Sequence, residues 1–212
     1  MTTSFGNGWR RSRRLGSFAA VCMGAGMDRP GEHAPSRARW LHRHATGALR
    51  AVGLEVRVSG HPGDATAWVG NHLGYLDVLG LGSVAPVSFV AKSEVAAWPL
   101  LGSLATRGGT IYVDRSRRMA VGNVVEDMKQ RVQAGVPVVF FPEGTSSSGA
   151  DVLPFHASLF APAVDLGWKV APFAIRMEAS DGIDAAYWGD MTFGTHFLRL
   201  MAHRRLVMHL RF

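Results

Sequence analysis

A histidine and an aspartate lie close together in an otherwise apolar stretch of the chain. The segment VGNHLGYLDVLGL, residues 69–81, contains His72 and Asp77 with four residues between them. In a regular helix this spacing would place the two side chains about 140° apart, so we expect His72 in a turn and Asp77 near the start of a following helix. An aspartate bonded to one ring nitrogen leaves the other free to act as a base. The pair predicts general-base chemistry, although either residue could also only cap local backbone.

The sequence offers this pair no obvious nucleophile. It contains no G-x-S-x-G pattern, and its single cysteine, Cys22, lies near the N-terminus. One cysteine also excludes a disulfide framework and a thiolate metal site. We therefore expect the activated hydroxyl to belong to a substrate.

A second polar cluster is rich in arginine. The segment GGTIYVDRSRR, residues 108–118, ends an apolar run with Asp114, followed by Arg115, Arg117 and Arg118. Arginine forks bind phosphate oxygens well, so the cluster predicts an anion site. Asp114 could restrain Arg115 by pairing with it. The alternative is a solvated turn.

A third polar cluster follows the most apolar run of the chain. In FFPEGTSSSG, residues 140–149, Glu143 could bind hydroxyls or hold an arginine, and Gly144 lets the backbone approach a ligand closely. Thr145 and Ser146 could donate further hydrogen bonds. The alternative is a turn with no contact to a ligand.

Alternating elements indicate how these clusters come together. Short β-rich runs alternate with helical stretches, which predicts an α/β fold: a single domain with a largely parallel, mixed sheet flanked by helices. The carboxyl ends of such strands form the binding edge of the sheet, and three polar clusters and Arg176 follow predicted strands. The predicted strands are 66–70, 87–91, 109–113, 137–141, 169–175 and 205–212, and the helices near 76–83, 93–104, 118–134 and 156–166.

The N-terminal part has a different composition. Residues 28–36 resemble a linker, so we expect a leader over 1–36, disordered or membrane-touching, and one domain over 37–212. That domain begins with an amphipathic helix over residues 37–54, with several arginines on one side. The helix either packs on the domain or lies in the plane of a membrane.

The net charge and the apolar runs of the chain limit the classes of partner that it could bind. A net charge of +7 suits an anionic membrane surface, a phosphate-bearing substrate or nucleic acid. We expect no nucleic-acid binding, because no aromatic-interleaved basic stripe or known motif accompanies the charge. No apolar run reaches the roughly 18 residues that span a bilayer.

Four segments in order resemble a known family. NHLGYLD, GGTIYVDR, FPEGTSSSG and VAPFAI, together with the connection AKSEVAAWPLLG, resemble the sequence blocks of the glycerolipid and lysophospholipid acyltransferases, of the 1-acylglycerol-3-phosphate acyltransferase type. The resemblance runs from about Arg37 to Phe212. It implies transfer of a fatty acyl group from acyl-CoA or acyl carrier protein to the hydroxyl of a lysolipid, at the cytoplasmic face of a membrane, by a monotopic or peripheral enzyme.

The resemblance also implies residue roles. His72 would be the general base and Asp77 its orienting partner, and Arg115 would bind phosphate. Glu143 with Gly144 would form part of the acceptor pocket, and Pro172 would help shape the acyl-binding side. The hydroxyl of Thr145 remains a candidate for binding the substrate. Backbone amides near 72–74 or 144–146 would stabilise an oxyanion, and no metal or redox cofactor would be needed.

Three features depart from the family pattern. Gly74 stands where a small hydroxyl residue is common, FHAS stands where a lysine-glycine pair often follows, and the chain stops at Phe212, where relatives usually continue. The second departure concerns acceptor charge, so a lyso-ornithine lipid is the alternative to 1-acylglycerol-3-phosphate. A noncatalytic lipid-binding protein on the same scaffold is a further alternative.

Overall fold

The computed structural model describes residues 3–114, 120–180 and 182–212, and in these residues one sheet organises the chain. Its order is β1-β7-β6-β2-β5-β3-β4, and only β6 and β7 pair antiparallel among the described strands. The expected largely parallel, mixed sheet is therefore confirmed. The strands are β1 (Leu54–Ser59), β2 (Ala67–Gly70), β3 (Ser88–Lys92), β4 (Ile111–Val113), β5 (Val138–Phe140), β6 (Val170–Ala179) and β7 (Leu206–Arg211).

Helices cover both faces of this sheet. One core joins the sheet to α2 and α3, and a smaller core joins the other face to α5 through Val124 and Met128. The helices are α1 (Thr3–Met27), α2 (Ala34–Val52), α3 (Tyr75–Val84), α4 (Leu101–Arg107), α5 (Ala120–Gln133), α6 (Ala161–Asp165) and α7 (Phe193–Leu200).

Four elements differ from the sequence prediction. The helix expected near 156–166 is a 3-10 helix (Ala157–Phe160) followed by α6. The helix expected over 93–104 is a 3-10 helix (Ser93–Ala97) followed by α4, because Pro99 lacks the N–H that a continuous helix needs and Leu100 has a φ of 61°. Strand β1 and helix α7 were not predicted. Strand β1 is an edge strand with one partner, β7.

The N-terminal region is helical. Residues 3–27, expected to be disordered or membrane-touching, form α1, which packs on α2 where Val21 lies against Gly47. Arg14 also donates to the carbonyl oxygen of His203 at 2.7 Å, and the tilted rings of Phe18 and Phe197 lie 5.0 Å apart. Contact of this leader with a membrane stays a prediction.

Helix α2 is packed within the protein. It begins at Ala34, three residues before the expected start of the domain, and Trp40, Ala45 and Leu49 are buried. Its apolar side faces α3, where Gly82 lies against Leu41 and Ala45. The structure thus favours the packed alternative over an in-plane membrane helix. No helix in the described ranges combines the length and the apolarity that crossing a bilayer requires.

Candidate active site

The site begins where strand β2 ends. Gly70 is paired with Phe173, and a Cβ on Gly70 would lie 2.3 Å from the Phe173 carbonyl oxygen, so only glycine fits there. The next side chain, Asn71, bonds the backbone of Ile175 twice, at 2.9 and 2.7 Å. These contacts fix the position of the turn that carries His72.

His72 and Asp77 meet in the predicted way. His72 lies in the turn before α3, and its Nδ1 lies 2.8 Å from Oδ2 of Asp77. Because the same oxygen accepts the backbone N–H groups of Leu73 and Gly74, Asp77 acts as the acceptor and His72 donates from Nδ1. Nε2 then carries the free lone pair, and it bonds to none of the described residues. The side chain of His72 remains 23% exposed, so Nε2 can meet a substrate.

Asp77 is the charged partner of this pair. Its side chain is fully buried in the first turn of α3, and Oδ1 has no hydrogen-bond partner among the described residues. A buried carboxylate with an unsatisfied oxygen is costly, and a positive charge beside it offsets that cost. Asp77 is therefore placed to stabilise positive charge that develops on the His72 ring during a reaction.

The loop after β5 holds His72 from the other side. Oε2 of Glu143 accepts the backbone N–H of His72 at 2.9 Å, and the backbone N–H of Ser147 donates to the His72 carbonyl at 2.8 Å. The ring of His72 stacks on Phe141, with centroids 4.1 Å apart. Oε1 of Glu143 accepts the N–H of Leu153. Glu143 is thus a positioning residue, whereas its predicted contact with the acceptor stays a prediction.

Of the other predicted site residues, the structure describes Gly144, Thr145 and Pro172. Gly144 has a φ of 70° and forms the turn after Glu143, and Thr145 is exposed next to it. Pro172 is exposed on β6, opposite Val69, and is not among the residues that line the apolar cavity described below. Arg115 and its expected pairing with Asp114 lie outside the described residues, so binding of phosphate by Arg115 stays a prediction.

Most of the backbone amides expected to stabilise an oxyanion are already used. The N–H groups of His72, Leu73 and Gly74 donate to carboxylates, and that of Gly144 donates to Phe141. The amides of Thr145 and Ser146 donate to none of the described residues. These two remain available to a ligand.

A segment that the sequence analysis missed covers the turn. The N–H of Tyr187 donates to the Leu73 carbonyl at 2.7 Å. The hydroxyl oxygen of Tyr75 lies 2.9 Å from Nδ1 of His196. Nε2 of the same ring donates to the carbonyl oxygen of Asp184 at 3.1 Å. The signal was present in the sequence, because Phe193, Phe197 and Leu200 recur at helical spacing.

An apolar cavity of about 160 Å³ opens between the helices. It lies among α1, α2, α3, α4 and α7, and Tyr75, at the start of α3, borders it. Trp98, Leu101 and Leu104 line it, whereas Leu100 is 54% exposed and does not.

Comparison with known proteins identifies the family. Residues 56–176, more than half of the chain, match the family model described as Acyltransferase. The chain belongs to the Acyltransferase family. The fold agrees, because the crystal structure of the 1-acyl-sn-glycerophosphate acyltransferase PlsC from Thermotoga maritima matches with a TM-score of 0.60, at 19% identity, over 91% of this chain and 74% of that chain.

Two kinds of relative resemble this acyltransferase. The 1-acyl-sn-glycerol-3-phosphate acyltransferase of Neisseria gonorrhoeae is 34% identical over 84% of this chain and 71% of its own length. The lyso-ornithine lipid O-acyltransferase of Pseudomonas aeruginosa is 35% identical over 81% of this chain and 66% of its own length.

The described part of the chain gathers no group of three or more His, Cys, Asp or Glu side chains that could hold an ion. The expectation that the reaction needs no metal or redox cofactor stays a prediction.

Proposed function

We propose that this acyltransferase moves a fatty acyl group from a thioester donor to the free hydroxyl of a lysolipid, with His72 as the general base. The observation that carries the proposal is the contact between Nδ1 of His72 and the buried carboxylate of Asp77, which leaves Nε2 without a partner among the described residues. A base of this kind needs an accessible lone pair and a fixed tautomer. Both are present in the turn after β2.

The reaction follows from that geometry. Nε2 of His72 removes the proton from the acceptor hydroxyl as its oxygen attacks the thioester carbonyl carbon. The tetrahedral oxyanion then collapses, the C–S bond breaks, and the leaving thiolate takes the proton back from His72. The products are an ester and a free thiol, and Asp77 stabilises the imidazolium between the two proton transfers.

An oxyanion of this kind needs hydrogen-bond donors that point toward it. The amides of Thr145 and Ser146 are free to serve as such donors, because they have no partner among the described residues. The loop that carries them also contacts His72 directly. We assign them this role.

A segment of the donor's acyl chain would enter the apolar cavity, because about 160 Å³ is too small for a whole lipid chain. Its walls are almost entirely hydrophobic, and Tyr75 links it to the turn that carries His72. Burying each methylene there contributes about 0.8 kcal/mol. The donor is acyl-CoA or acyl carrier protein, as the sequence resemblance implies.

The acceptor would be presented at a membrane surface. Helix α1 exposes Trp9, Met23 and Met27, and its exposed Arg11 and Arg13 suit anionic headgroups. We propose peripheral attachment at the cytoplasmic face. Sequence resemblance put 1-acylglycerol-3-phosphate first and lyso-ornithine lipid second as acceptors, and the relatives of both kinds are about equally similar.

An acyl-transfer assay tests this proposal. Purified protein is given a labelled acyl thioester with 1-acylglycerol-3-phosphate or with lyso-ornithine lipid, in mixed micelles. We expect label in the diacylated product of at least one acceptor, with release of free thiol in equal amount. Free thiol without an acylated lipid would indicate hydrolysis and contradict the proposal.

A further inference from the structure

A cleft lies beside the catalytic turn, where strand β6 extends past its neighbour. Strand β2 ends at Gly70, opposite Phe173, but β6 continues to Ala179 and, among the described strands, pairs there with β7 alone. The Asn71 side chain continues the pairing for one more residue, to Ile175. Beyond that point the chain turns away to His72 and leaves room at the carboxyl ends of two parallel strands, where α/β proteins bind ligands.

The cleft is small, polar and close to the base. It has a volume of about 150 Å³, and its lining includes Leu73, Ser148 and Gly149. Leu73 directly follows His72, and Ser148 directly follows the residue whose N–H donates to the His72 carbonyl. Pockets that enclose whole small-molecule ligands measure about 300–1,000 Å³, so this cleft fits a headgroup rather than a lipid.

Two opposite charges border the cleft. Arg176, on the extended half of β6, is exposed and makes no hydrogen bond or ion pair with any described residue. A guanidinium with five free donors binds a carboxylate or phosphate through two parallel hydrogen bonds.

Asp184 supplies the negative charge. Its Oδ1 accepts the N–H of Ala186 at 3.0 Å and its Oδ2 accepts Nε1 of Trp188 at 2.9 Å, so the carboxylate is held in place. Each oxygen keeps a further lone pair, and the carboxylate forms no ion pair with a described lysine or arginine. The charge therefore remains available to a cation.

We propose that this cleft binds the zwitterionic headgroup of an amino-acid lysolipid, of the lyso-ornithine type. The headgroup carboxylate pairs with Arg176 and the ammonium group pairs with Asp184. A phosphate monoester would meet the same arginine, but Asp184 would repel its second negative charge. The inference rests on the proposed acyl transfer and reverses the order in which the sequence ranked the two acceptors.

Substitution of Arg176 tests the assignment with a short-chain, water-soluble lyso-ornithine lipid and with 1-acylglycerol-3-phosphate. We expect the protein to acylate the amino-acid lipid more efficiently. Arg176→Met should raise the KM for that lipid at least about tenfold and change kcat little, since a hydrogen-bonded charge is lost from the headgroup only. The KM of Arg176→Lys for the amino-acid lipid should lie between those of the wild type and Arg176→Met. Arg57→Met removes an exposed arginine from the edge strand β1 and should leave KM within about twofold.

Calorimetric binding of the same lipid without donor separates the possible failures. Weaker binding to Arg176→Met would support the cleft even if no turnover were seen, whereas absence of turnover with both lipids would contradict the proposed function. Turnover of 1-acylglycerol-3-phosphate alone would leave acyl transfer standing and overturn the headgroup assignment. Equal KM and equal affinity for the amino-acid lipid in Arg176→Met would also overturn it.

Discussion

Glu143 and His72 are joined by a hydrogen bond of 2.9 Å between a side-chain oxygen and a backbone N–H, across 71 residues of sequence. The glutamate is buried, and each of its oxygens accepts one backbone N–H. It therefore acts on the reaction through the position of the base. The family resemblance had placed it against the acceptor.

Substitution of Glu143 by glutamine distinguishes these roles. Glu143→Gln keeps one acceptor oxygen but places an amide NH₂ opposite one of the two N–H donors. We expect the free energy of unfolding to fall by about 1–3 kcal/mol and kcat to fall, with KM for the acceptor little changed. Urea denaturation and steady-state kinetics measure both. A raised KM at constant kcat would instead indicate direct contact with the acceptor.

Gly74 has a structural reason to lack the hydroxyl that the family resemblance led us to expect. Its φ is 138°, and a Cβ would lie 2.8 Å from the Cβ of Tyr187. Gly74→Ser should therefore destabilise the protein by at least about 1–3 kcal/mol and reduce activity, rather than add a useful donor. The matched control is Gly63→Ser, because Gly63 has a φ of 62° with open space around it. Gly63→Ser should lower the free energy of unfolding by about 1 kcal/mol and leave kcat/KM normal. Thermal unfolding and kinetics of both variants decide the point, and higher activity in Gly74→Ser would refute this explanation.

Leu101 offers a test of the apolar cavity. A tryptophan there would fill much of the roughly 160 Å³ that the cavity provides, so Leu101→Trp should shift the preference toward shorter acyl donors. Leu100→Trp is the control, since Leu100 is exposed and outside the lining. Initial rates with donors of increasing chain length measure the shift. The same profile for both variants would place the acyl chain elsewhere.

His196 should make stability depend on pH. Burial lowers the pKa of His196, against the raising effect of the Asp184 carbonyl and carboxylate. Since the unfolded protein binds this proton near the ordinary pKa of about 6.5 while the folded protein does not, stability should fall as the pH drops through that value. Urea denaturation between about pH 7 and pH 5 should show a smaller loss for His196→Gln than for the wild type. The control is the same substitution at the exposed His61. Equal losses of stability in the wild type and His196→Gln would exclude His196 as the source of the pH dependence.

The sequence predicted those parts of the site that depend on local patterns. The spacing of His72 and Asp77, with glycines on either side, indicated a turn followed by a helix, and both are present. Alternation of strands and helices gave the parallel sheet and therefore the edge at which the clusters meet. These features need only neighbouring residues and general rules of α/β folds.

The remaining features depend on contacts between distant segments. Whether Glu143 faces a ligand or the backbone of His72 is decided by the path of its loop, which spacing does not encode. The contact of Tyr187 with Leu73 likewise joins segments more than a hundred residues apart. Helix α7 was missed although its apolar residues recur at helical spacing, because the helix is short and follows a segment rich in turn residues.

The most direct test of the account is acyl transfer by His72→Ala. The variant removes the proposed base and leaves Asp77 bonded to the amides of Leu73 and Gly74, so the fold should persist. We predict a loss of at least about 10²-fold in kcat with any acceptor that the wild type uses, while circular dichroism stays unchanged. His61→Ala should keep full activity. Wild-type turnover in a folded His72→Ala protein would contradict the assignment of His72 as the general base.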